Sequence, residues 1–391
     1  MSGGSHTASA AAPTPLRILV AHPGAEMYGS DRVLLDSVLG FLSAGHRVVA
    51  TIPERGALSE ALESAGADVR VKPAFVLRKR LLKPRGWGEL LRTGWGGMRS
   101  MLYLMRTVRP DVVYVSTITL PLASLLPRLF RVPVALHVHE GEAGASTLMK
   151  KLLYAPASAA RRILINSAFS LDVMGSTYPR LRSRTIIVPN AVPGPASPTP
   201  PRPALDDVVR LLYLGRLSPR KGPDLIVDAL PLLEERGITA TLDLVGSVFE
   251  GYEDYEAALR EAIDRIGGDE RVVLHGFQSE VWTFLERADI LIVPSRLDEP
   301  FGNTAVEGVL AERPVVVTDT SGLREATAGI RTAVRIRPGS AAAIADGIVD
   351  IVTGWDTVRA EVADARALAD KRHAPSAYRR RVADLVTEIV S

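Results

Sequence analysis

The chain predicts an α/β protein built from two doubly wound parallel-sheet domains, and three observations predict it. Short apolar runs alternate with helical patterns along nearly the whole length, the signature of parallel strands joined by crossover helices. The alternation is interrupted by Pro193-Gly-Pro-Ala-Ser-Pro-Thr-Pro-Pro-Arg-Pro203, too rich in proline for a helix or a central strand. At 391 residues the chain also exceeds one ordinary domain and suits two hydrophobic cores.

Apart from Met1 and His6, residues 1–15 are Ser, Ala, Gly, Thr and Pro without a Lys/Arg start or a long apolar core, so they read as a disordered leader and imply no export. The first domain spans 16–192, with strands expected over Leu16–Ala21, Arg47–Ile52, Ala67–Val71, Asp111–Val115, Val132–Leu136, Arg162–Ile165 and Arg184–Val188. Its most apolar stretch, Val112 to Pro127, is broken by Ser116, Thr117, Thr119, Pro121 and Ser124. It reads as a buried strand followed by a helix rather than a membrane span. Residues 193–207 form the linker. In the second domain, 208–371, strands are expected over Val208–Leu214, Thr241–Val245, Arg271–Leu274, Ala288–Val293, Pro314–Thr318 and Thr332–Ile336. Helical patterns over Thr357–Asp370 and Ala374–Val390 close the chain, the latter within a terminal segment of 372–391.

The hydrophobic fraction of 47% supports globular folding, while a net charge of +3 and a pI of about 9.1 argue against a dedicated nucleic-acid binder. The absence of cysteine excludes disulfides, thiolate metal sites and cysteine nucleophiles, and is compatible with a reducing cytosol. Charge is unevenly spread. Between Arg70 and Arg109 stand Arg70, Lys72, Arg78, Lys79, Arg80, Lys83, Arg85, Arg92, Arg99, Arg106 and Arg109 against the lone acid Glu89, interleaved with Trp87, Trp95 and many leucines. Such a segment suits either a solvated helix packed on its sheet or a helix lying in an anionic membrane surface, and the charge imbalance favours the membrane.

Two motifs carry chemistry. Glu299-Pro-Phe-Gly-Asn-Thr-Ala-Val-Glu307 follows the apolar run Ile290 to Val293. Asn303 or Thr304 can cap a helix whose free N–H groups face an anion, so a diphosphate fits beside Gly302. Glu307 then falls one turn into that helix, where its carboxylate can accept from ribose hydroxyls, and Glu299 on the preceding loop can meet a sugar. Upstream, Gly215-Arg216-Leu217-Ser218-Pro219-Arg220-Lys221-Gly222 follows the strand Val208–Leu214 and precedes a helix from Pro223. Arg216 and Lys221 would therefore neutralise a leaving diphosphate from a strand-to-helix loop, the place where open α/β sheets bind ligands.

Together these segments resemble the retaining family 4 glycosyltransferases of the GT-B fold, marked by a Glu-x7-Glu motif and a Gly-Arg-Leu-x-x-x-Lys-Gly loop, and the resemblance covers nearly the whole chain from Leu16. It implies two Rossmann-like domains facing a cleft, with a C-terminal helix crossing back to the first. It implies an enzyme transferring a sugar, with retention, from a nucleotide-diphosphate sugar to an acceptor hydroxyl, with that donor as co-substrate and no cofactor. Arg216, Lys221 and Glu299 with His139 form the expected catalytic set. Gly29, Ser30, Gly215, Phe301, Gly302, Asn303, Thr304 and Glu307, again with Arg216 and Lys221, form the expected donor-binding set. In the family, a turn ending Gly-x-Glu follows the first strand, whereas Gly29-Ser30-Asp31 carries aspartate. Gly29 and Ser30 are expected to contact the diphosphate from the opposite side. His139-Glu140 matches the family's His-Asp or His-Glu, with His137 deeper on the same face, and the base would lie near His275 to Gln278. No Asp-x-Asp occurs, so metal-independent chemistry is expected, with cations and helix ends supplying the charge. The basic segment points to the cytoplasmic face of the membrane and a polyprenyl-diphosphate-linked acceptor. Alternatives on the same fold are a sugar-nucleotide epimerase, a phosphorylase or a non-catalytic donor-binding subunit.

Overall fold

The computed structural model describes residues 14–77, 87–205, 207–248 and 251–390. Most of the expected leader, and Arg78, Lys79, Arg80, Lys83 and Arg85, lie outside them. The first domain contains β1 (Arg17–Ala21), α1 (Gly29–Ser43), β2 (Arg47–Ile52), α2 (Ala57–Ser64), β3 (Asp68–Val71), α3 (Trp87–Val108), β4 (Val112–Val115) and α4 (Pro121–Leu125). It continues through β5 (Val134–Val138), α5 (Thr147–Tyr154), β6 (Arg162–Ile165), α6 (Ala168–Thr177) and β7 (Thr185–Ile187). The second domain begins with β8 (Val208–Leu214), α7 (Asp224–Glu234), β9 (Thr239–Val245), α8 (Glu253–Arg265), β10 (Val272–Gly276), α9 (Trp282–Arg287) and β11 (Ile290–Val293). It is completed by α10 (Asn303–Leu310), β12 (Val315–Thr318), α11 (Ser321–Ala326), β13 (Ala333–Ile336), α12 (Ala341–Thr353) and α13 (Trp355–His373), and α14 (Pro375–Val390) ends the chain.

Each of the thirteen expected strands forms, within two residues at either end. The fifth is displaced by two residues at both ends, to Val134–Val138, because Pro133 cannot donate to a ladder. The first sheet has the order β3-β2-β1-β4-β5-β6-β7 and the second β10-β9-β8-β11-β12-β13, with parallel pairing throughout. Both orders reverse beside their first strand, between β1 and β4 and between β8 and β11. Helices cover both faces, which is why central strands such as Val-Val-Tyr-Val and Ile-Leu-Ile-Val are apolar at every position and wholly buried.

The segment from Pro193 to Pro203 forms neither helix nor strand and is fastened to the second domain. Arg202 pairs with the buried Asp289 at 2.5 Å, and Arg313 donates to the Thr199 carbonyl at 2.8 Å. The terminal helix α14 crosses back to the first domain, where Tyr378, Val382, Leu385, Val386 and Ile389 join the core against α1. Gly40 makes that contact close. A Cβ there would stand 2.5 Å from the Arg379 carbonyl oxygen. Beside it the Arg379 guanidinium pairs with Asp36 at 2.6 Å. No helix among the described residues is long and apolar enough to cross a membrane.

Candidate active site

The loops at the two reversal points face each other and enclose a cleft of about 920 Å³. From the second domain, the loop after β8 enters it. Gly215 adopts φ +147° and donates to the Val245 carbonyl at 3.0 Å, which turns the chain so that Arg216 projects across the cleft. The Arg216 guanidinium carbon lies 4.5 Å from the Tyr28 ring centroid, a cation–π contact between the domains, and Tyr28 in turn meets Phe277 edge-on at 5.3 Å. Lys221 Nζ stands 2.9 Å from Glu299 Oε1. The same oxygen accepts from Arg220 Nη1 at 3.0 Å and from Ser295 Oγ at 2.6 Å. Burial would raise this carboxyl, but the Lys221 and Arg220 cations and the Ser295 hydroxyl outweigh it and hold Glu299 below the usual carboxylate range.

The expected cap of the next helix is corrected by the structure. Neither Asn303 nor Thr304 caps α10: the N-cap is Gly302, in the left-handed region at φ +117°. Only a residue without Cβ suits that geometry here, since a methyl would stand 2.7 Å from Leu323 Cδ2. Asn303 instead accepts at Oδ1 from Asn190 Nδ2 at 2.9 Å, while Thr304 lines the cleft. The N-terminus of α10 nonetheless points into the cleft, as a diphosphate site requires. Phe301 is buried against His373, 5.4 Å between ring centroids, so its backbone and not its ring is what a ligand could reach. Glu307 lines the same wall. Burial raises its carboxyl, and Arg32 opposes this from 3.2 Å.

Across the cleft, Gly29 opens α1 and approaches α10 closely, a Cβ at Gly29 being 3.0 Å from Asn303 Nδ2. Two helix N-termini therefore converge on one space. Ser30 is exposed beside them. Asp31 does not face the cleft as a donor ligand. Its carboxylate accepts from the Tyr28 amide at 2.9 Å and contacts His22 Nε2 at 2.7 Å, while His22 Nδ1 meets Ser116 Oγ at 2.5 Å.

His139 sits just past β5 and lines the cleft. Both its ring nitrogens are buried without a protein partner, and burial, aided by nearby His22, pulls its pKa down to about 3, so the ring is neutral. His137 is fully buried behind it, its Nδ1 2.5 Å from the Tyr114 hydroxyl, in a chain that continues through Ser37 to Tyr378 of α14. Its Nε2 has no partner. Glu140 is engaged by the Thr117 hydroxyl and the His139 amide. Of the loop expected to hold a base, Phe277 and Gln278 line the cleft, while His275 turns away to Asp243 at 2.6 Å.

The structure thus brings Gly29, Ser30, His139, Gly215, Arg216, Lys221, Glu299, Phe301, Gly302, Asn303, Thr304 and Glu307 to one cleft. Sequence reasoning missed Arg32, Asn190 and the role of Arg220, which act by meeting residues remote in the chain, and Ser295, which meets Glu299 four positions on across a loop. It also missed a clasp between the domains. Glu325 of α11 accepts from the Ala168 and Phe169 amides of α6 at 2.8 and 2.7 Å, and Ser167 donates to the Pro300 carbonyl at 2.5 Å, beside Glu299.

Comparisons with known proteins agree with this architecture. A family profile described as "Glycosyl transferases group 1" matches residues 209–354, and one described as "Glycosyl transferase 4-like domain" matches residues 29–171. Among curated relatives, a glycogen synthase of Mycobacterium tuberculosis is 27% identical over 257 residues, 63% of this chain and 61% of the synthase. The lipopolysaccharide 1,2-N-acetylglucosaminetransferase of Salmonella typhimurium is 32% identical over 126 residues, 31% of this chain and 32% of that protein. The alignments thus span less than two thirds of these relatives' length. Among solved structures, Anabaena Alr3699/HepE in complex with UDP-glucose superposes with a TM-score of 0.79 at 20% identity, over 95% of this chain and 100% of that one. One profile on each domain, joined by two facing Rossmann-like sheets and a returning terminal helix, place the chain among the group 1 and 4-like glycosyltransferases of the GT-B fold.

Proposed function

We propose that the protein transfers a sugar from a nucleotide-diphosphate sugar to an acceptor hydroxyl with retention at the anomeric carbon. The observation that carries this reading is the convergence of the α1 and α10 N-termini with Arg216, Lys221 and Glu299 on one cleft. Such a space suits a diphosphate, and the relative Alr3699/HepE is described with UDP-glucose. In this reading Arg216 and Lys221 stabilise the departing diphosphate, Glu307 holds the ribose, Glu299 and the Phe301–Gly302 backbone orient the sugar, and Phe277 and Gln278 flank the base. Neutral His139 offers unpartnered nitrogens to a sugar hydroxyl. Gly29 and Ser30 approach the diphosphate from the first domain.

Glu299 is committed to Lys221, Arg220 and Ser295, which favours attack on the face that the leaving group departs from over a covalent enzyme intermediate. The acceptor oxygen bonds to the anomeric carbon as the bond to the phosphate oxygen breaks. The electron pair stays on that phosphate oxygen, which takes the acceptor proton. Positioning and charge stabilisation then supply most of the catalysis, with no divalent cation required.

We further propose a lipid-linked acceptor at the inner membrane face. Support comes from α3, where Trp87, Leu91 and Trp95, one turn apart, are 59%, 73% and 61% exposed, beside the exposed Arg92, Arg99 and Arg106.

The test is a thermal-shift screen against UDP, GDP, dTDP and ADP and their sugars, followed by turnover with the stabilising donor in excess EDTA and NMR assignment of the product anomer. A raised melting temperature, EDTA-resistant transfer and a retained anomer are expected. Inversion, loss of turnover in EDTA or donor consumption without an acceptor would each overturn the corresponding part.

A further inference from the structure

Arg32 lies in the first turn of α1, in the first domain, yet both ends of its guanidinium fork contact the second. Nη1 donates to Glu307 Oε1 at 3.2 Å, and Nη2 donates to the Ser279 carbonyl at 3.2 Å. These partners belong to different walls of the nucleoside half of the cleft. Glu307 is on α10, and Ser279 follows Phe277 and Gln278 on the loop after β10. The planar fork suits such a two-point contact, which an ammonium could not reproduce. None of the roles proposed above uses this residue.

We infer that Arg32 is a positioning residue for nucleotide recognition: it keeps the Glu307 carboxylate ionised and aimed, and it fastens the nucleoside walls of the second domain to the first. The inference rests on the reading of Glu307 as the ribose-binding carboxylate. A carboxylate accepts from both vicinal hydroxyls of a ribose, whereas a protonated carboxyl gives up part of that capacity. Glu307 is buried, which favours the neutral form. From α1 the charge facing it is Arg32, and from the loop after β10 the facing group is the Ser279 carbonyl, already engaged by Arg32. Elsewhere in the cleft, Lys221 and Glu299 are paired with each other. Arg32 is accordingly the cation that opposes burial at this carboxylate. Because it reaches Glu307 from the other domain, the ribose acceptor is complete only while the domains face each other.

The experiment is calorimetric titration of UDP, GDP and ADP in turn into the full-length wild type, Arg32→Ala, Arg32→Lys and Glu307→Gln, from pH 5.5 to 8.5. For the nucleotide that binds, Arg32→Ala should weaken affinity severalfold at pH 6 and by less at pH 8.5, because removing the cation raises the Glu307 carboxyl further and lowers its ionised fraction most at the acid end. Its acid limb should move to higher pH, and Arg32→Lys, which restores charge without the fork, should move the limb back while recovering only part of the affinity. An equal loss at every pH for Arg32→Ala, or no loss, would overturn the inference and leave Arg32 a structural tie. Glu307→Gln tests the underlying reading separately. If it binds nucleotide like the wild type, Glu307 is not the ribose acceptor, and the inference falls with that reading and not through Arg32.

Discussion

At the scale of single residues, the oxygen Glu299 Oε1 is the most crowded acceptor of the cleft, with Lys221, Arg220 and Ser295 all within hydrogen-bonding distance. That crowding separates two kinds of side chain. Glu299 is buried and already satisfied, so its loss strands two cations. Lys221 is partly exposed and can turn from Glu299 to a phosphate. Lys221→Ala should therefore lower turnover with donor by tenfold to a hundredfold, on the scale of one charged hydrogen bond, about 1.5–3 kcal/mol. The melting temperature should stay near that of the wild type. Near-normal turnover would remove Lys221 from the site. The residue pairs that made the motifs legible were local: Arg216 with Lys221, and Glu299 with Glu307. Ser295 and Asn190 gave no signal because one serine or asparagine in a loop acquires meaning only from what the fold places against it.

At the scale of elements, nearly everything that sets the fold class was written in the sequence. Strands buried on both faces leave unbroken apolar runs, and the crossover helices leave spacings of three and four, so all thirteen strands could be located. Boundaries were less legible. The start of α10 is fixed not by an Asn or Thr side chain but by Gly302, whose φ of +117° turns the loop sharply into the helix, and glycine writes no periodicity. The same limit applies to α3. Its stripe of Trp87, Leu91 and Trp95, four residues apart, suited a helix packed on its sheet as well as one lying in a membrane surface. The buried face carries Gly97, Met101, Leu104 and Met105, and the tryptophans point outward. If that face meets lipid, the protein should cosediment with vesicles containing anionic lipid, less so as salt rises. Trp87→Ala with Trp95→Ala should abolish this while sparing hydrolysis of free donor. Sedimentation equal on neutral and anionic vesicles, or absent from both, would return α3 to the role of a solvated helix.

At the scale of the whole molecule, the two domains are linked by Val188 to Val192 on one side and by His373 on the other. His373 donates from Nδ1 to the Asn190 carbonyl at 3.3 Å, and its own carbonyl accepts from Val192. Burial pulls the His373 pKa down to about 4, against the Asn190 carbonyl, which favours the charged form. A histidine whose folded pKa lies below its unfolded value binds its proton first in the unfolded chain. Stability is then complete above about pH 6.5 and is lost as the pH falls towards about 4, by roughly 3 kcal/mol over the window from this one residue. His139, held neutral down to about 3, acts in the same direction. Melting temperature measured from pH 7.5 to 4.5 should fall steeply below 6.5, and His373→Asn should flatten part of that slope. An unchanged slope would mean that the hinge histidine titrates normally. The clasp between the domains carries a different consequence. Glu325 grips α6 by two backbone N–H groups and no side chain, so the exposed position 168 can vary in size, charge and shape without loosening it, whereas position 169 is constrained by its ring's packing on the core and against Gly141 rather than by the clasp. Proline alone would remove a donor, whereas position 325 needs a carboxylate of that one length. The two sides of a single contact therefore tolerate mutation very differently: one strict acid, facing two amides whose own side chains take no part in the grip.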